Sequence, residues 1–237
     1  MLSLVDLLDA ESVDPPLAAY LAAVMYRGHS LLVGAEPGGA GKTTVMCALL
    51  NFVPPETTLQ AADGLITLRQ AHEAPPDHRT CYIAHEISPA SYYYAYLWGH
   101  EARQFFALGA RGALIASNLH ADTLDATRKQ LLEENEVPSS HLDAVALKVY
   151  LGTRRQSAWA MRRWVWRVYE HAGNGDRLLW SADAPGRFTR RDESHIVSEA
   201  DEARFAELLA ALQAEDIRRI EAVRRALLTR LPRSGAA

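Results

Sequence analysis

The residues best suited to chemistry lie in "GAEPGGAGKTT", residues 34–44. Gly41, Lys42 and Thr43 close the pattern G-x-x-x-x-G-K-[ST], in which backbone N–H groups wrap a phosphate, the lysine reaches the outer phosphates and the hydroxyl binds Mg²⁺. Pro37, Gly38, Gly39, Ala40, Gly41, Lys42 and Thr43 are the expected phosphate cradle, and Thr44 stands one residue further on, in reach of an α-phosphate. Glu36 occupies the place of the pattern's first glycine. The donors that hold an anion come from the later residues and from the following helix N-terminus, so the loop keeps them. Gly34 is expected to take over the sharp exit from the strand, with Glu36 pointing to solvent.

Such a loop must be held between a buried strand and a helix. "SLLVGA" is a short apolar run suited to a parallel strand, and "KTTVMCALLNFV" reads as the helix that Pro54 and Pro55 stop. A helix from about Leu17 to Arg27 precedes them, opened by prolines and closed by Gly28. "TCYIAHEI" is a second core strand, "GHEARQFFALGA" a helix and "ALIASNLH" a third strand with a polar end. Helical spacing follows through Leu124, Leu131 and Leu132, with Pro138 beyond it. Strands alternating with helices predict an α/β fold with a mostly parallel sheet flanked by helices.

The pattern changes near residue 145. "AVALKVYL" and "SAWAMRRWVWRVYE" read as strands, the second with Arg162, Trp164 and Trp166 on one face and Met161, Arg163 and Val165 on the other. "AGNGD" is a turn, "LLWSADAPGRFTRR" a short hairpin, and residues 199–228 one long helix or two abutting ones. The organisation expected is an N-terminal helical segment (1–30), a phosphate-loop core (31–150) and C-terminal strands and helices (151–237) within the same domain.

A chain of 237 residues, 49% hydrophobic and 23% charged, has the composition of a soluble globular protein. Cys47 and Cys81 have no partners at metal-ligand spacing, which excludes a sequence-legible zinc site or disulfide framework and suits a cytoplasmic setting. The N-terminus lacks a signal-peptide pattern and no stretch approaches a membrane span, so any membrane association is expected through partners. Residues 1–150 carry nine basic against seventeen acidic side chains, and residues 151–237 sixteen against twelve. Solvated faces of unequal sign account for this, and head-to-tail contact between copies is the alternative. "TRRQSAWAMRRWVWR" interleaves Arg with Trp, but core tryptophans and solvated arginines explain it, and nucleic acid is not expected.

The loop, with "VMCALLNFVPPETT", "CYIAHEI" and "GHEARQFFALGARGALIASNLHAD", resembles the ATPases of type II and type IV secretion systems, including pilus and conjugation motors. The resemblance spans residues 31 to about 132 and, loosely, 145–170. It implies a RecA-like P-loop NTPase fold, ATP and Mg²⁺ as ligands, and a hexameric ring working with transport or pilus proteins. It places Glu86 on the Walker B glutamate, with a role at Mg²⁺ beside Thr43 or in orienting water, and His120 on the histidine box near the γ-phosphate. Lys42, Glu86 and His120 are then the catalytic set.

Three departures stand out. His85 replaces the glycine before the Walker B glutamate. Where the family carries an acidic box, "TTLQAADGLITLRQ" offers only Asp63, and Arg69 or Arg79 are the candidates for γ-phosphate arginines. The family's N-terminal domain has no counterpart in residues 1–30, which implies that another chain supplies one or that the domain works differently. The resemblance thus implies an ATPase, with a nucleotide-binding assembly or regulatory module of low turnover as the alternative and a small-molecule P-loop kinase behind it.

Overall fold

The computed structural model describes residues 1–36, 38–89, 95–157, 160–173 and 175–231. Pro37 of the expected cradle, Asn174 of the expected turn and Ala158 and Trp159 of the expected strand lie outside the described residues. In chain order the elements are α1 (Leu4–Asp9), α2 (Pro15–Tyr26), β1 (Leu31–Gly34), α3 (Lys42–Leu50), β2 (Thr58–Ala61), α4 (Leu65–Glu73), β3 (Thr80–Ile87), β4 (Tyr96–Leu97), α5 (His100–Ala110), β5 (Leu114–Leu119), α6 (Leu124–Arg128), α7 (Ser139–Asp143), β6 (Leu147–Arg155), β7 (Met161–His171), β8 (Asp176–Ala184), β9 (Arg187–Arg190), α8 (Glu199–Ala214) and α9 (Ile220–Arg230).

Among the described residues one sheet joins nine strands, in the order β2-β3-β5-β1-β6-β7-β8-β9 with β4 beside β3. Strands β1 to β6 pair parallel, and β6 to β9 pair antiparallel. The loop strand β1 is separated from β3 by β5 alone. This is the expected α/β architecture, a mostly parallel sheet flanked by helices, and the C-terminal ends of β1, β3 and β5 come level: Gly34 pairs with Leu119, and Ile87 with Leu119.

Alternating side chains feed two cores on opposite sheet faces. Leu31, Val33, Ala116, Leu147 and Val149 face α1, α2, α3, α8 and α9. Leu32, Tyr82, Ala84, Ile115 and Leu119 face α4, α5 and α7. Helix α2 is buried along its length from Leu17 to Tyr26, which its small side chains (Ala18, Ala19, Ala22, Ala23) permit between sheet and α8. Asp14 caps it by accepting from the Leu17 amide at 2.9 Å, and the prolines at its first turn lack only amides that would have no helical partner.

The structure departs from the sequence reading in three places. The stretch that offered no acidic box forms β2 and α4, an exposed edge strand and an amphipathic helix. The helix expected across Leu124–Leu132 is α-helical only through Arg128 and then widens into a π-helical turn, Lys129–Glu134. Asn135 closes that turn by donating from both its backbone N and its side-chain Nδ2 to the Gln130 carbonyl, and the wider turn lets Gln130 Nε2 reach the Ile87 carbonyl at 2.7 Å. The strict alternation expected in β7 breaks at Trp166, because the β6–β7 register shifts between Tyr150 and Leu151. Of the two forms expected for the C-terminal helical stretch, the structure has two abutting helices, divided at residues 215–219. Among the described residues no helix is long and apolar enough to cross a membrane.

Candidate functional site

Strand β1 delivers the chain to the loop at Gly34. A Cβ there would come 2.3 Å from the Ala121 carbonyl oxygen and 2.8 Å from the Tyr150 ring, so this glycine permits close packing, and its φ is not positive. The left-handed conformations fall later, at Gly39 (φ 74°) and Gly41 (φ 95°), and open space lies where side chains of Gly38 and Gly39 would be. Glu36 is exposed, as expected. Helix α3 starts at Lys42 with Gly41 as its N-cap and no side chain capping it, so the first-turn amides remain available to an anion in the loop.

Lys42 is buried, and its Nζ donates to the Ala35 carbonyl and to Glu86 Oε1, each at 3.2 Å. Glu86 is also buried, and His120 Nδ1 lies 3.7 Å from the same Oε1 while its side chain is about half exposed. Two residues next to these decide the geometry. His85 is the extra residue of a register shift between Ala84 and Glu86 on β3. Without it, alternation from Ile83 would put His85 on the α3 face and send Glu86 to the other; with it, Glu86 pairs with Asn118 and meets Lys42. The His85 ring is exposed and stacks on Tyr96, with centroids 5.2 Å apart and planes at 17°.

Asn118 is fully buried on β5, between the two chemistry-bearing strands. Its Nδ2 donates to Thr43 Oγ1 at 3.2 Å and to the His85 carbonyl at 2.7 Å, and its Oδ1 is buried without a partner. One polar side chain thus ties the exposed hydroxyl of Thr43 to the bulge that orients Glu86. The signal in the sequence was "ASN" inside an apolar strand, because a polar side chain there must find partners in the fold.

The second residue that sequence reasoning missed is Arg163 of β7. Its Nε donates to the Gly39 carbonyl at 2.8 Å, and its Cδ lies 3.4 Å from where a Gly41 side chain would stand. Arg69 and Arg79 do not line this site; Arg79 is at the opposite end of β3, ion-paired with Asp77. Nor does Asp63 line it.

Gly38, Gly39, Ala40, Gly41, Lys42, Thr43, Thr44, Glu86 and His120 line one cavity of about 990 Å³, shared with Arg162, Arg163 and an apolar end. No family model and no curated protein matches this sequence. Among solved structures, the chain is similar to the VirB11 ATPase from the Brucella suis type IV secretion system, crystallised with sulphate, at 17% identity and a TM-score of 0.46. The match covers 70% of this chain and 54% of that one, so the chain spans about half the length of that protein.

Among the described residues no group of three or more His, Cys, Asp or Glu side chains could hold a metal ion. What the loop offers is one hydroxyl, bracketed by Asn118, and one carboxylate engaged with a lysine. That fits Mg²⁺, which keeps several waters and binds through one or two protein groups together with substrate phosphates.

Proposed function

We propose that this chain binds a nucleoside triphosphate with Mg²⁺ at the glycine loop and hydrolyses it, as an ATPase of the secretion or pilus class. The observation that carries the reading is the buried Lys42–Glu86 pair at the foot of a loop in which Gly39 and Gly41 are left-handed and the helix amides are uncapped. Phosphoryl transfer asks for positioning and charge neutralisation more than for covalent help, and these residues supply both.

The loop amides and the start of α3 receive the β-phosphate. Lys42 reaches the β- and γ-phosphates and exchanges its bond to Glu86 for bonds to phosphate oxygens. Glu86, released from the lysine, accepts a hydrogen bond from the attacking water and holds it in line with the γ-phosphorus. His120, at the end of β5, donates to a γ-phosphate oxygen. Thr43 would hold Mg²⁺ through its hydroxyl, and the ion would supply positive charge beside the phosphate oxygens. Hexamer formation and work on a transport or pilus assembly belong to the same proposal.

The test is phosphate release from Mg-ATP, with binding measured separately by calorimetry. Lys42→Ala is expected to abolish binding, and Glu86→Gln to keep binding while losing release. Release by the natural protein no faster than by Lys42→Ala, under conditions that allow assembly, refutes hydrolysis. A second reading, a nucleotide-binding regulatory or assembly module of low turnover, is favoured by Asp63 lying away from the cavity. Tight ATP binding without turnover selects it.

A further inference from the structure

The cavity has two unlike ends. One is the polar loop; the other is walled by Leu2 and Leu7 from the N-terminal segment, Leu151 of β6, and Met161 and Val165 of β7. Leu151 and Val165 pair directly across the two strands, which sets them on one face with Met161 and Arg163. The segment before α2 is fastened to β7 beyond its pairing with β8: the Val165 amide donates to the Ser12 carbonyl at 2.8 Å, and Ser12 Oγ donates to the Arg163 carbonyl at 2.8 Å. The apolar end is therefore a built wall, held by backbone bonds, on the side of the loop away from Glu86.

The polar side chains around this end are turned to other tasks. Ser12 is bound as described. Arg162 donates to the Ala10 carbonyl at 3.4 Å and pairs with Glu11. Arg163 is directed to the Gly39 and Met161 carbonyls. Trp164 is the exception: its Nε1 is buried, closed to solvent and without a hydrogen-bond partner. The side chains there that make no such bonds are the apolar Leu2, Leu7, Leu151, Met161 and Val165.

Resting on the reading of the loop as a triphosphate site, we infer that this end seats the nucleobase, sandwiching its plane between α1 and the β6–β7 hairpin without reading its edge. An aliphatic seat rewards a flat ring by burial and discriminates weakly between rings, whereas discrimination of several orders of magnitude requires buried polar groups that a wrong base leaves unpaired. ATP and GTP are then nearly equivalent ligands, and base identity is not how this chain selects its substrate.

The experiment is calorimetric titration with Mg-ATP, Mg-GTP and Mg-tripolyphosphate, on the natural protein and on Leu2→Ser/Met161→Ser. Both positions lie outside the fully buried core, Leu2 being 52% exposed, and both changes are uncharged. ATP and GTP are expected to bind within about threefold of each other and about tenfold or more tighter than tripolyphosphate. The double variant is expected to lose about tenfold for both nucleotides and nothing for tripolyphosphate, whose unchanged binding also reports an intact loop. ATP and tripolyphosphate bound equally well, or a preference of about a hundredfold for one purine, overturns the base seat while leaving the loop reading standing. Failure of all three ligands to bind overturns both.

Discussion

Removing the Asn118 amide tests whether this side chain organises the site. In Asn118→Ala the bonds to Thr43 Oγ1 and to the His85 carbonyl disappear. Each is worth about 1 kcal/mol net, and the void left at a fully buried position adds about 1 kcal/mol more. Loss of the unpartnered Oδ1 offsets about 1 kcal/mol of this, so the expected destabilisation is about 2 kcal/mol. For a chain of this size that is a fall of roughly 4–8 °C in Tm. The change also frees the Thr43 hydroxyl and loosens the bulge that aims Glu86, so the gain in ATP affinity on adding Mg²⁺ should shrink. Urea unfolding followed by far-UV circular dichroism gives the stability, and calorimetric titration with ATP, with and without Mg²⁺, gives the linkage. An unchanged urea midpoint together with an unchanged Mg²⁺ dependence would refute the assignment of Asn118 as the positioning residue.

Gly34→Ala forces a methyl to within 2.3 Å of the Ala121 backbone carbonyl, so the strand end must shift; a loss of about 2 kcal/mol is expected in urea titration. Asp176→Asn strips the charged partner from Lys148, whose side chain is 1% exposed and held at 2.6 Å, and should cost about 3 kcal/mol by the same measurement. Burial pushes the Cys81 thiol from 9.0 up to about 12. The unfolded chain ionises it first, so its contribution is complete below pH 9 and is lost as pH rises toward 12; Cys81→Ala should flatten the fall in urea midpoint over that window. At pH 8 the same thiol should resist a disulfide reagent in the native protein and react after denaturation, as absorbance of the released chromophore will show.

Local signals wrote much of this molecule. Strand, glycine loop and helix follow each other within residues 31–50, and their order is legible because apolar runs, φ-permissive glycines and helix-stopping prolines act over a few residues. The core strands β3 and β5, helix α5 and the C-terminal hairpin were legible for the same reason. The edge strand β2 was not, since Thr58–Ala61 is exposed throughout and leaves no apolar pattern. Nor was the π-helical turn, whose width depends on Asn135 and on a carbonyl of β3 that Gln130 must reach.

The sequence by itself therefore determined the loop, its lysine and hydroxyl, and the strands that carry Glu86 and His120. Only the tertiary structure decided what these residues face. A one-residue register shift at His85 turns Glu86 toward Lys42, and because strand side chains alternate with a period of two, the sequence alone left that face undetermined. Asn118 meets Thr43 across 75 positions, and Arg163 meets Gly39 across 124. Those meetings follow from strand order and pairing, which the burial of two whole sheet faces fixes together and no short stretch encodes.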